Sequence, residues 1–200
     1  FEPVKALFVH RGFSHSLLFA FLIAPLLGWL ASRIHRDSYF RQWTWLFLLA
    51  ILGHSCIDCF NTYGTALLWP FSLVRISFDS LGIIDFVFLL PILGVMIFAL
   101  FKSSTSFARR ILSLIVLIYS VSYLIFSVGN KLYIEKVVKN QLENNEIQYN
   151  RIRTAPLPIT NFLWLVLAES DSGYNIGYIS NFDKSGIDFQ HINRNEELLD

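Results

Sequence analysis

Four long apolar runs alternate with short polar stretches over the first two thirds of the chain. They fall at residues 16–31 (SLLFAFLIAPLLGWLA), 43–60 (WTWLFLLAILGHSCIDCF), 81–101 (LGIIDFVFLLPILGVMIFALF) and 111–128 (ILSLIVLIYSVSYLIFSV). A bilayer span takes about 20 mainly apolar residues, with a range of roughly 17–25, so each run predicts a transmembrane helix, the first being the shortest. Pro25 and Pro91 would be out of place inside soluble helices but are tolerated in membrane ones. Trp29, Trp43 and Trp45 sit at run ends, where indole rings anchor at the headgroup level.

Past residue 130 the pattern changes. In 131–146, Leu132, Val138 and Leu142 recur among charges and predict a helix that continues the fourth run. Pro156 and Pro158 end any helix. Two β-prone runs, 159–168 (ITNFLWLVLA) and 174–180 (YNIGYIS), flank the turn composition ESDSG and predict a hairpin, with a third short strand near 187–192. The expected fold class is therefore an all-α polytopic membrane bundle of four transmembrane helices with a small C-terminal β-containing extramembrane tail. Its two domains are 1–130 and 131–200.

Composition sharpens this division. Hydrophobic residues make up 54% of the chain and charged ones 16%, against roughly 45–50% and about 25% in ordinary soluble domains. That excludes a disordered chain, and the net charge of +1 gives no electrostatic basis for binding nucleic acid. Two cysteines three positions apart cannot form a disulfide framework. Residues 1–130 hold nine Lys/Arg and five Asp/Glu, whereas 131–200 hold seven and ten. Six of those nine cations lie in two loops, Arg33, Arg36 and Arg41 after the first run and Lys102, Arg109 and Arg110 after the third. With four spans both loops share one side, which the positive-inside rule makes cytoplasmic. The start of the first run, the loop after the second and the tail then face outward.

Ionisable residues within apolar spans are expensive and point to function. Here they gather at the predicted outer end. His10 and His15 lie in HRGFSHS at the start of the first run. His54 and Asp58 lie in HSCID on the second, Asn61 follows one turn on, and Asp85 lies near the start of the third. Residues four apart share a helix face, so His54 and Asp58 can reach one metal ion. Histidine and carboxylate ligation with an open position suits zinc and related divalent ions. Such an ion activates water, with a spare carboxylate as general base. The structural alternatives are a buried ion pair of Asp58 with Arg11 or Arg75, and capping of the third run by Asp85, although Asp79 and Ser80 look better placed for that. Cys56 and Cys59 read as packing, and His35 and His191 as bland. Trp69-Pro70-Phe71-Ser72 predicts an extended lid or rim at the membrane surface, with Gly64 permitting a tight turn, or else a plain interfacial anchor.

In combination, HRGFSHS, HSCIDCFNTYGT, PFS and IID resemble the inner-membrane-associated metal-dependent hydrolases of bacteria. The family's motifs fall on His10, Arg11, Gly12, Ser14, His15 and Ser16, on His54, Asp58, Asn61 and Gly64, on Pro70, Phe71 and Ser72, and on Ile84 and Asp85. The resemblance covers about residues 8–130, and Trp164, Gly177 and Tyr178 look like the tail of longer members. The family's upstream Pro-Asp-x-Asp element does not occur before the HRG motif, and Phe1 is not Met. The expectation is a chain lacking its N-terminal segment, with one or two carboxylate ligands.

The resemblance implies a multi-pass inner-membrane hydrolase, and the loop charges add an extracytoplasmic tail. Its metal ligands would be His10, His15, His54, Asp58 and Asp85, with Arg11, Asp58 and Asp85 catalytic and Asn61 and Trp69 at the substrate. A site at headgroup depth suggests a lipid-linked or phosphoester substrate, and Arg11 could stabilise an oxyanion or phosphate. Two rival readings are a non-enzymatic metal-binding or transport protein and a regulatory module binding a partner through its tail. Transport favours polar groups near the bilayer midplane, whereas here they crowd one end.

Overall fold

The computed structural model describes residues 12–35, 39–183 and 186–194. In chain order these form α1 (Leu17–Ile34), α2 (Phe40–Asp58), α3 (Phe86–Leu100), α4 (Phe107–Asn144), β1 (Arg151–Pro156), β2 (Leu163–Ser170), β3 (Gly173–Ser180) and β4 (Gln190–Asn193). They divide into two compact units, Phe1–Phe78 and Asp79–Asp200.

The first unit is an antiparallel helical hairpin. Ser16 starts α1 as its N-cap, accepting from the Phe19 amide at 3.1 Å and donating to the Phe13 carbonyl at 2.9 Å. The inner face of α1 is a row of small residues four apart, Ala20, Ala24 and Gly28, all buried. Leu48 of α2 packs into the cluster that Ala20 and Ala24 form. A Cβ added to Gly28 would lie 2.8 Å from the Thr44 amide nitrogen and 2.9 Å from its Cα, so the two backbones meet there. Such close approach by small residues is how helices pack where no hydrophobic force separates them from their surroundings.

In the second unit, α4 runs 38 residues, about 57 Å at 1.5 Å per residue. Near its C-terminal end Ile134, Val138 and Leu142 line one face and pack against Trp164, Val166, Ala168, Ile179 and Ile187. That face meets a four-stranded antiparallel sheet of order β1-β2-β3-β4. Trp164, Val166 and Ala168 alternate along β2 and are fully buried, the period-two pattern of a half-covered strand. A buried polar knot ties helix to sheet. Asn130 Nδ2 donates to the Asn161 carbonyl at 2.7 Å and to Asn161 Oδ1 at 2.8 Å, and Trp164 Nε1 donates to the same carbonyl at 2.9 Å.

The expected all-α bundle of four spans is corrected on two counts. The chain is mixed α/β, and among the described residues only α1 and α4 are long and apolar enough to cross a bilayer. Their most apolar windows are only 17% and 11% buried, unlike the core helices of a soluble protein. α2 spends its ends on polar residues, Arg41 and Gln42 at one and His54, Ser55 and Asp58 at the other. α3 is shorter than its apolar run because residues 81–85 are not helical. Asp85 is the N-cap, and the Ile84 amide donates to the Pro158 carbonyl at 2.9 Å. The 15 residues left rise about 22 Å, short of a hydrocarbon core of about 30 Å. The strands β2 and β3 lie where a hairpin was expected. β1 was not expected.

Candidate metal centre

Two local features meet at the open end of the hairpin. The turn closed by Ser16 at the start of α1 holds His15 one residue ahead of the cap. The last turn of α2 presents His54 and Asp58 on one face, four residues apart. The hairpin register set by the Gly28–Thr44 contact brings these two ends together.

His15 Nε2 lies 3.1 Å from Asp58 Oδ2, and His54 Nε2 lies 3.8 Å from the same oxygen. The imidazole rings stand 5.1 Å apart at a tilt of 44°. The other nitrogen of His15, Nδ1, is 2.9 Å from Ser14 Oγ, which orients the ring and leaves Nε2 directed at the carboxylate. Asn61 braces Asp58 from below. Its Nδ2 donates to Asp58 Oδ1 at 3.3 Å while its Oδ1 accepts from the Tyr63 amide at 3.0 Å. The Asn61 carbonyl accepts from Ser77 Oγ at 2.6 Å. Gly64, at φ +67°, makes the tight turn that follows.

The donor set suits a divalent ion. One ligand atom from each of His15, His54 and Asp58 falls within 4.8 Å of the others. A tetrahedral ion bound at about 2.0–2.2 Å keeps its ligand atoms about 3.4 Å apart, and 3.1 and 3.8 Å lie on either side of that figure. His15 and Asp58 are largely shielded, with side chains 8% and 15% exposed, whereas the His54 side chain is 67% exposed. His15 and Asp58 are thus enclosed, while His54 stands open to its surroundings.

Cys59 follows Asp58 but is not part of that ligand group. Its Sγ donates to the Ser55 carbonyl at 3.3 Å, and burial pushes its thiol above the ordinary range. Cys56 is exposed.

The other expected site residues are distributed as follows. His10 and Arg11 lie outside the described residues. Trp69 packs edge-to-face on Phe13 at 5.2 Å, in the same unit as the cluster. Asp85 belongs to the second unit, and both its oxygens are occupied. Oδ1 accepts from the Phe88 amide at 3.1 Å and Oδ2 from the Tyr123 hydroxyl at 2.8 Å. It is the cap of α3, the role for which Asp79 and Ser80 had looked better placed. Those two are used otherwise: Asp79 pairs with Lys131 and Arg153 at 3.7 and 3.3 Å, and Ser80 meets Ser127 at 3.2 Å. Ser14 was missed as an orienting partner of His15. Its sequence signals are adjacency and its place in the HRGFSHS motif.

Comparison with known proteins gives a family and no structure. Residues 2–129 match the profile of a family described as YdjM inner membrane protein. The match includes the whole cluster and ends before the sheet. Inner membrane protein YbcI of Escherichia coli (strain K12) is 40% identical over 67 residues, 32% of this chain and 38% of that protein. The uncharacterized protein YfhP of Bacillus subtilis (strain 168) is 28% identical over 141 residues, 68% of this chain and 41% of that protein. The chain thus spans about two fifths of the length of each relative. No solved structure matches.

Proposed function

This chain belongs to the YdjM inner membrane protein family, and we propose that it is a membrane-bound metal-dependent hydrolase whose site is the open end of the α1–α2 hairpin. The observation that carries this reading is the convergence of His15, His54 and Asp58 with one side left open. When bound there, a divalent ion such as zinc supplies Lewis acidity, activating water for attack on an ester. The chain's own residues do the rest. Ser14 fixes the ring of His15, Asn61 holds the carboxylate of Asp58, and the open side at His54 admits the substrate. Arg11 is placed by sequence to steady charge on a substrate phosphate or oxyanion, and His10 is a further ligand candidate. Asp85 is left out, since one of its oxygens caps α3 and the other accepts from the Tyr123 hydroxyl.

The orientation follows from charge. The closed end of the hairpin carries Arg33, Arg36 and Arg41 in one short segment, so that end belongs on the cytoplasmic side and the cluster on the other. A cluster at the end of a spanning helix sits at headgroup depth, which favours a lipid-linked or lipid phosphoester substrate.

The test is turnover in liposomes. Purified protein loaded with zinc is assayed for release of phosphate or headgroup from a panel of lipid phosphoesters. The expected result is zinc-dependent turnover of at least one ester. Removing a partner that merely supports a ligand lowers metal affinity or activity by about 10–100-fold, so Asp58→Ala, which removes a ligand, loses more. A zinc-loaded protein inert toward the whole panel contradicts the hydrolase and leaves the non-enzymatic metal protein in its place.

A further inference from the structure

Between α2 and the second unit the chain makes a loop with a fixed base and an apolar tip. Thr65 and Ile76 exchange both backbone hydrogen bonds at 3.0 Å, an isolated antiparallel bridge that clamps the two arms. Just outside the clamp, the Phe78 amide donates to the Cys59 carbonyl at 2.7 Å and Ser77 Oγ to the Asn61 carbonyl. The base is thereby tied to the end of α2, beside Asp58. Just inside the clamp, the Leu67 carbonyl accepts from the amide of Leu17, the first residue of α1, at 2.9 Å.

The tip, residues 68–74, reads LWPFSLV and carries no charge. Four of its apolar side chains are exposed, Phe71 at 85%, Leu73 at 78%, Val74 at 72% and Leu68 with them, while Trp69 packs on Phe13. An anchored loop that holds four large apolar side chains outward requires something to cover them. The attachment to α1 says what. α1 is long and apolar enough to cross a bilayer, and the loop is bonded to its first residue. The tip therefore lies level with one end of a spanning helix, at the boundary of headgroups and acyl chains. Arg75, next in sequence, donates to the Tyr63 carbonyl at 3.3 Å and adds a further tie at the base of the loop.

We propose that residues 68–74 insert into the lipid leaflet at the open end of the α1–α2 hairpin, forming a membrane-dipping rim beside the His15/His54/Asp58 cluster. The insertion stands on the loop alone. Its consequence, that substrate reaches the cluster sideways from the bilayer, rests on the hydrolase reading above.

The experiment measures depth and needs neither metal nor turnover. Phe71→Cys and Val74→Cys, in a Cys56→Ser, Cys59→Ala background, are spin-labelled in nanodiscs of phosphatidylethanolamine and phosphatidylglycerol. Collision with oxygen, which concentrates among acyl chains, is compared with collision with a water-soluble nickel chelate. Ser172→Cys, in the exposed turn between β2 and β3, is the aqueous reference. Insertion predicts oxygen dominance at 71 and 74 and nickel dominance at 172, with the same result when Asp58→Ala is added. Nickel dominance at 71 and 74 overturns the proposal, as does shielding from both reagents, which would mean a protein cover. Should the labelled background misfold, quenching by lipids brominated near the headgroup gives the same decision on the native cysteines. Insertion predicts that Phe71→Trp adds a quenched component, and an added component that stays unquenched overturns it.

Discussion

Gly28 and Gly53 lie on facing helices of one hairpin, and the structure assigns opposite signs to the same substitution at the two positions. A Cβ at Gly28 would come within 2.8 Å of the Thr44 nitrogen and 2.9 Å of its Cα, and closer still to its Oγ1. Carbon does not approach backbone atoms below about 3.4 Å without displacement, so α1 and α2 must separate. Overpacking of this kind destabilises by about 1–3 kcal/mol, and Gly28→Ala is expected in that range despite the gain in helix propensity. A Cβ at Gly53 meets nothing within 4 Å. There the substitution only restricts the unfolded chain and favours helix, so Gly53→Ala is expected to stabilise by about 0.4–1 kcal/mol. Thr44→Ala should rescue Gly28→Ala only in part, because it removes the hydroxyl contact and leaves both backbone contacts in place. Unfolding in mild detergent, followed by the loss of helical circular dichroism, measures all four proteins. Equal effects of the two glycine substitutions, or full rescue by Thr44→Ala, would refute backbone-to-backbone packing as the frame of the site.

Three further expectations concern the site and its surroundings. Asn61→Ala removes the brace on Asp58 and should weaken zinc binding by about 10–100-fold without altering the helical spectrum, as read by competition with a chelating dye. Asp85→Ala should leave zinc binding unchanged, while loss of the α3 cap and an orphaned Tyr123 hydroxyl lower stability by about 1–3 kcal/mol; a loss of bound zinc would return Asp85 to the ligand set. Alkylation with N-ethylmaleimide near pH 8 should modify the exposed Cys56 and spare Cys59 until the protein unfolds. Burial both shields the Cys59 thiol and raises its pKa, which lowers the reactive thiolate fraction, and peptide mass mapping distinguishes the two.

The parts of this molecule that were legible in its sequence are those governed by local spacing. His54 and Asp58 could be paired because four residues make one helical turn, and the continuation of the fourth run into 131–146 because its apolar positions keep a helical period. Hydropathy misled where a distant partner decides the backbone. Residues 81–85 are as apolar as a span, yet Ile84 bonds to Pro158, more than seventy positions away, and the helix starts only at Phe86. β1 escaped for a related reason. RIRTAP alternates polar and less polar residues over too short a length to stand out, and it becomes a strand by pairing with β2, from Arg151 opposite Glu169 to Pro156 opposite Trp164. Asp85 was read as functional because carboxylates in apolar runs usually are, although Asp85 and Phe88 already had the spacing of a cap and its bonded amide. The knot of Asn130 and Asn161 joins residues 31 apart and had no local signal at all.

The central claim is that His15, His54 and Asp58 hold one divalent ion. Elemental analysis of the purified protein, loaded with zinc and then freed of excess by gel filtration, tests it most directly. The account predicts about one zinc per chain in the wild type, from a single three-residue ligand set, and near-complete loss in His54→Ala and in Asp58→Ala, both still helical. A wild-type protein that retains no metal, or variants that retain as much as the wild type, would contradict it.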